Sequence, residues 1–164
     1  MPPKKKTVEE IIEEYHKWDK QNPNTIVGAE IEMDIKVGEY IIDGKIDRVE
    51  QTPEGEYVII DYKTGGKNKK ITNLNESLQL NIYAMGLKAK KKFGKLPKLV
   101  SYFYPEKEGQ RIFSYEVTQA DIDNTKRKLE GYLKSIDDGE FEADPDMKKC
   151  GWCNYKDLCD ESKA

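Results

Sequence analysis

The sequence predicts a layered α/β fold, and three observations carry that prediction. Stretches with helical spacing and stretches with strand alternation follow one another as helix, strands, helix, strands, helix, an order that packs helices onto a sheet. The 164 residues match one ordinary domain, and an apolar fraction of 37% is enough for a single packed core. No internal repeat, and no low-complexity segment beyond clusters of lysine, interrupts the pattern.

Val8, Ile11, Ile12, Tyr15 and Trp18 recur at helical spacing, with Thr7 as N-cap and Glu10 as its capping-box partner, so a helix is expected over 7–20. Asn22-Pro23-Asn24 ends it. Ile31, Met33, Ile35 and Val37 then alternate with Glu30, Glu32, Asp34 and Lys36, the period of a half-buried strand. After a turn at Gly38-Glu39, a second strand runs from Tyr40 to about Glu50. Thr52-Pro53-Glu54-Gly55 turns the chain into a third, Glu56 to Lys63, completing an antiparallel meander. A helix follows over about 75–92, with Leu78, Ile82, Met85 and Ala89 on one face. Leu99 to Tyr104 and Ile112 to Val117 read as strands. A last helix starts near Thr118 to Asp121 and carries Ile122, Leu129, Leu133 and Ile136 until Gly139. The organisation expected is one domain over 1–164: the first helix, an α/β core over 26–140, and a cysteine-bearing tail over 141–164.

With 36% charged residues, the chain has no apolar stretch near the roughly 20 residues of a membrane span. The basic start, Met1 to Lys6, leads into no apolar signal region, so a cytoplasmic location is expected. The net charge of −3 is unevenly spread. Residues 65–98 hold nine lysines and one acid, Glu76, for a local charge of +8. Such a run is often only a solvated face. Next to a phosphoryl-transfer site it would gather a polyanion, which makes Lys67, Lys69, Lys70, Lys88, Lys90, Lys91 and Lys92 candidate DNA contacts. Tyr102, Phe103 and Tyr104 could stack on bases, but an aromatic-rich buried strand is the preferred reading.

Asp47 and Asp61 end two strands joined by a short turn, so antiparallel pairing can bring them together. Asp61 and Lys63, two apart on a strand, share a face. Two convergent carboxylates can hold Mg²⁺ or Mn²⁺, which polarises a phosphoryl oxygen and acidifies bound water, with the lysine beside it. An isolated Asp-x-Lys is more often an exposed ion pair. The apolar run Val58-Ile59-Ile60 leading into Asp61 argues for a site.

Three motifs then coincide in order. Gly44-Lys45-Ile46-Asp47-Arg48 resembles G-x-I-D-R, Asp61-Tyr62-Lys63-Thr64-Gly65 resembles D-Y-K-T-G, and Gln79-x3-Tyr83 resembles a Q-x3-Y helix motif. Together they are similar to the RecB-like branch of the PD-(D/E)XK nucleases, which includes the CRISPR-associated RecB-like exonuclease and the nuclease domains of RecB- and AddAB-type helicase-nucleases. The resemblance spans roughly residues 26–160 and implies a restriction-endonuclease-like mixed β-sheet flanked by helices. It makes Asp47 and Asp61 ligands of Mg²⁺ or Mn²⁺, with the Tyr62 carbonyl as a further ligand. Lys63 becomes the catalytic lysine, and Gln79 and Tyr83 contact substrate or support the site. Glu30, with Glu32 as alternative, stands for the acid on the first core strand. His16, the only histidine, stands for the branch's metal-binding histidine or else is a solvated side chain late in the first helix.

Three cysteines within ten residues, Cys150, Cys153 and Cys159, cannot pair off as disulfides, and their C-x2-C-x5-C spacing can present three thiolates to one metal. The tail resembles the C-terminal iron-sulfur motif of the same branch, which implies a [4Fe-4S] cluster. Zn²⁺ and unliganded thiols are the alternatives. Either metal would be structural. The function expected is a metal-dependent DNA nuclease, an exonuclease of repair, recombination or CRISPR adaptation, acting on single strands or free ends. A catalytically weak DNA-binding or scaffolding module docked to a helicase or another nuclease subunit is the second reading. A metal-bound protein-interaction domain is the third.

Overall fold

A computed structural model describes residues 6–64 and 74–164 of the chain. Helix α1, Val8–Gln21, begins with the capping box expected from the sequence: Thr7 Oγ1 accepts from the Glu10 N–H and the Glu10 carboxylate from the Thr7 N–H. Strands β1 (Thr25–Val37), β2 (Tyr40–Gln51) and β3 (Tyr57–Tyr62) form the antiparallel meander. Gly38, at φ +60°, makes the first turn in a conformation that a side chain would strain. A 3-10 turn, Leu74–Glu76, leads into helix α2, Leu78–Ala89, capped by Ser77. Strand β4 (Leu99–Phe103) returns parallel to β3, and β5 (Ile112–Glu116) pairs antiparallel with β4. The sheet is therefore mixed, in the order β1-β2-β3-β4-β5, with helices against it. Helix α3 spans Gln119–Asp137 and a short helix α4 spans Met147–Trp152.

The chain divides into two compact units, Met1–Leu129 and Glu130–Ala164. In the first, β3 lies mid-sheet and is buried on both faces, which explains its unbroken apolar run. Ile59 joins Met33, Val49, Val100, Leu80, Ala84 and Leu87 in the core beneath α2. Val58, Ile60 and Phe103 form the opposite core, against Tyr15 and Trp18 of α1. Helix α2 lies close on β1 at Gly86, where a Cβ would come within 2.0 Å of Met33 Sδ.

The helix face expected to be buried is not the one that packs. Leu80, Ala84 and Leu87 are fully buried, whereas Leu78, Ile82 and Met85 are half-buried and Ala89 is exposed. Apolar residues occupy most of this helix's circumference, so periodicity alone does not select the packing side. The same limit appears in α3, where Ile122, Thr125 and Leu129 are buried but Ile136 is exposed. Among the described residues, no helix is long and apolar enough to cross a membrane.

Candidate active site

Alternation on β3 turns Asp61 to the side of Ile59, beneath α2. The β2–β3 register pairs Arg48 with Ile60, so Asp47 stands one step further along, level with Asp61. Asp47 Oδ2 accepts from the Tyr62 N–H at 2.9 Å, which anchors its carboxylate beside β3. The Lys63 ammonium lies 2.7 Å from Asp61 Oδ2 and donates to Gln79 Oε1 at 2.7 Å. Gln79 in turn donates to the Tyr83 hydroxyl at 2.9 Å. Gln79 and Tyr83 are one turn apart on α2, in the row next to buried Leu80 and Ala84, so they face the sheet at its carboxylate end.

Burial pushes the Asp61 carboxyl up from its ordinary pKa; Lys63 opposes this, Asp47 adds to it and Tyr83 opposes it. Burial acts against the Lys63 charge, but Asp61 outweighs it and raises the lysine's pKa, so the group is an ammonium at neutral pH. The Tyr83 phenol is raised by burial first, with both carboxylates contributing and Gln79 opposing. Asp61 Oδ2 is enclosed and receives no well-aligned hydrogen bond among the described residues. Two neighbouring carboxylates, one of them disfavoured as an anion by burial and by the other, are a donor set that a divalent oxygen-seeking cation would neutralise. Asp47 and Asp61 therefore fit Mg²⁺ or Mn²⁺.

The profile of the PD-(D/E)XK nuclease superfamily matches residues 3–160. The chain belongs to the PD-(D/E)XK nuclease superfamily. Among solved structures, this superfamily member is similar to a candidate exonuclease from Eubacterium rectale, with 19% identity and a TM-score of 0.51 over 89% of this chain and 57% of that one. It is also similar to the protein SSO0001, with 17% identity and a TM-score of 0.48 over 82% of this chain and 60% of that one. The chain thus spans about three fifths of the length of these two structures. No curated protein matches it.

Of the other residues singled out in the sequence, Glu30 lies beside Asp47 in the β1–β2 register, between Ala29, paired with Arg48, and Ile31, paired with Ile46. His16 is exposed on α1, whose Tyr15 and Trp18 pack on the far face of the sheet. Glu30, at φ +51°, is exposed and 3.2 Å from Lys45, and Glu32 is exposed as well. Lys88 donates to Gln119, Lys90 lies 3.6 Å from Asp34, and Lys92 donates to the Val27 carbonyl. Lys91 is exposed. Lys67, Lys69 and Lys70 lie outside the described residues. In the second unit Cys150 is buried, Cys159 half-buried and Cys153 exposed, all as free thiols. Among the described residues, no three His, Cys, Asp or Glu side chains are gathered into a metal-holding group.

Two further residues, Tyr102 and Ser77, adjoin this cluster. Tyr102 is the register neighbour of Asp61, and Lys63 Nζ sits 5.0 Å from its ring centroid. The Tyr102 hydroxyl is 2.6 Å from Ser77 Oγ and 3.4 Å from Gln79 Oε1. The alternation of Tyr102 and Phe103 carried the signal. Phe103 is fully buried against α1, which turns Tyr102 toward α2.

Proposed function

We infer that this chain is a divalent-metal-dependent deoxyribonuclease whose reacting centre is the Asp47–Asp61 pair with Lys63. The observation that carries the reading is the convergence of both carboxylates, the lysine, Gln79 and Tyr83 at one end of the sheet. Bound Mg²⁺ or Mn²⁺ would supply Lewis-acid polarisation of the phosphoryl group and a more acidic water. Asp47 and Asp61 would hold it, with the Tyr62 carbonyl as a third donor. Lys63, kept protonated by Asp61, donates toward the attacking water or a phosphate oxygen and offsets charge as it develops. Gln79 holds that ammonium from the helix side, and Tyr83 presents a neutral hydroxyl to the same space.

Exonucleolytic action on single strands or free ends, in the cytoplasm, as part of DNA repair, recombination or CRISPR adaptation alongside a helicase or nuclease subunit, is supported by the likeness of the three motifs to the RecB-like branch. A [4Fe-4S] cluster in the tail, with zinc as rival, is supported by the C-x2-C-x5-C spacing and its likeness to the C-terminal iron-sulfur motif of that branch. Iron and zinc analysis of anaerobically purified protein decides between them.

The test is cleavage of end-labelled single- and double-stranded DNA with Mg²⁺, Mn²⁺ or EDTA, for the parent and Asp61→Ala. Metal-dependent cutting that the variant loses is the expected result. Full activity in the variant would overturn the assignment. The second reading is a DNA-binding module without catalysis. That reading gains if folded parent protein binds DNA but leaves it uncut.

A further inference from the structure

Arg48 follows Asp47 and Tyr62 follows Asp61, and both side chains enter the face of the sheet that α1 covers. There they form one buried polar network. Arg48 Nη1 donates to the Tyr15 hydroxyl at 2.6 Å and to the Tyr62 hydroxyl at 3.2 Å, and the two hydroxyls lie 2.7 Å apart. Arg48 Nη2 meets Asp19 at 2.7 Å and Glu50 at 2.5 Å. Glu50 also accepts from Asn22 and Asn24, the residues that carry the chain out of α1. Arg48 and Glu50 are almost wholly enclosed, at 5% and 1% exposure.

Such a network is costly to desolvate, and apolar side chains of the same volume commonly stabilise a fold as well or better. Its worth lies in the single geometry it enforces. That geometry reaches the carboxylates along a short path. The Tyr62 ring is held by Arg48 and Tyr15 and packs edge-on against Phe103, while the Tyr62 N–H holds Asp47 Oδ2. The side chain of one residue is therefore fixed to α1, and its backbone fixes one of the two acids.

We propose that Tyr62 is a positioning residue for the Asp47–Asp61 pair, latched through Arg48 and Tyr15 to α1, so that α1 sets how well the two carboxylates hold a divalent cation. The proposal rests on the reading of that pair as a cation site. Outer partners that orient metal ligands influence affinity without touching the ion.

The experiment is direct Mn²⁺ binding to the full chain, read by electron paramagnetic resonance of free Mn²⁺ without DNA. Tyr62→Phe keeps the ring, its packing on Phe103 and the backbone N–H, and removes only the latched hydroxyl. Its dissociation constant for Mn²⁺ should rise about tenfold, the lower end of what outer-shell partners cost. Tyr15→Phe, which breaks the same latch from the helix side, should move affinity in the same direction. Thr7→Ala removes the α1 cap two turns away; it should lower the melting temperature and leave Mn²⁺ affinity unchanged. Parent-like affinity in both tyrosine variants, or an equal loss in Thr7→Ala, would overturn the latch while leaving the cation site standing. Absence of Mn²⁺ binding in the parent would overturn the cation site and the latch with it.

Discussion

Asp61 is held in a place where its negative charge is disfavoured, by burial first and then by Asp47, against the opposing pull of Lys63. Its pKa is raised in the folded protein. The stability it contributes is therefore complete below its unfolded pKa and is lost as pH rises through the folded one. Once ionised, and without metal, Asp61 works against the fold. Asp61→Asn is expected to lower cleavage by about a hundredfold or more, as for loss of a group that manages transition-state charge. In EDTA the same variant should melt at a higher temperature than the parent once the pH exceeds the folded Asp61 pKa, with the difference closing in acid. Calorimetry across pH, with and without Mn²⁺, checks both signs. The metal should raise the parent's melting temperature and leave that of the variant nearly unmoved.

Helix α2 brings Gln79 and Tyr83 to the carboxylates only because it can lie flat on β1, and Gly86 permits that approach. An added Cβ there would sit 2.0 Å from Met33 Sδ and 3.0 Å from Met33 Cβ. Gly86→Ala should cost about 1–3 kcal/mol by overpacking. It should also reduce cleavage, since the helix that carries both site residues must shift. Denaturant unfolding of Gly86→Ala, Met33→Ala and the double variant measures the coupling. The double variant should lose less than the two single losses together, because the space left by Met33 accepts the new methyl group.

Over the whole molecule, the candidate DNA contacts among the described residues lie in one region. Lys88, Lys90, Lys91 and Lys92 lie at the C-terminal end of α2 and just beyond it. At 1.5 Å per residue, Lys88 stands about 14 Å along the helix from Gln79, a distance of some four nucleotides rather than a direct flank. Replacing these four lysines with Gln should weaken DNA binding and flatten its salt dependence, by about 0.9 in slope for each duplex phosphate left without its lysine. Cleavage of a saturating short substrate should change little. Affinity measured across a salt series checks this, and an unchanged slope would place the DNA elsewhere.

The expectation that Asp47, Asp61, Lys63, Gln79 and Tyr83 share one site comes from the resemblance of three motifs, while the sequence by itself determined the order helix, strands, helix, strands, helix, the three-stranded meander and the Thr7 capping box. These rest on local spacing: alternation on strands, one-turn steps on helices and turn residues between them. Only the tertiary structure decided which face of α2 packs, because a helix apolar on most sides contains no preference until a sheet is laid against it. It alone placed Tyr102 beside Lys63, since those two meet across the parallel β3–β4 pairing, between residues far apart in the chain. The same holds for His16 and Glu30. His16 is exposed on α1, which covers the far face of the sheet, and Glu30 takes a left-handed backbone conformation beside Asp47 in the register, with its side chain toward Lys45. The Arg48–Tyr62–Tyr15 latch was equally unreadable in advance, because it joins residues 15, 48 and 62 that meet only once β2, β3 and α1 are packed.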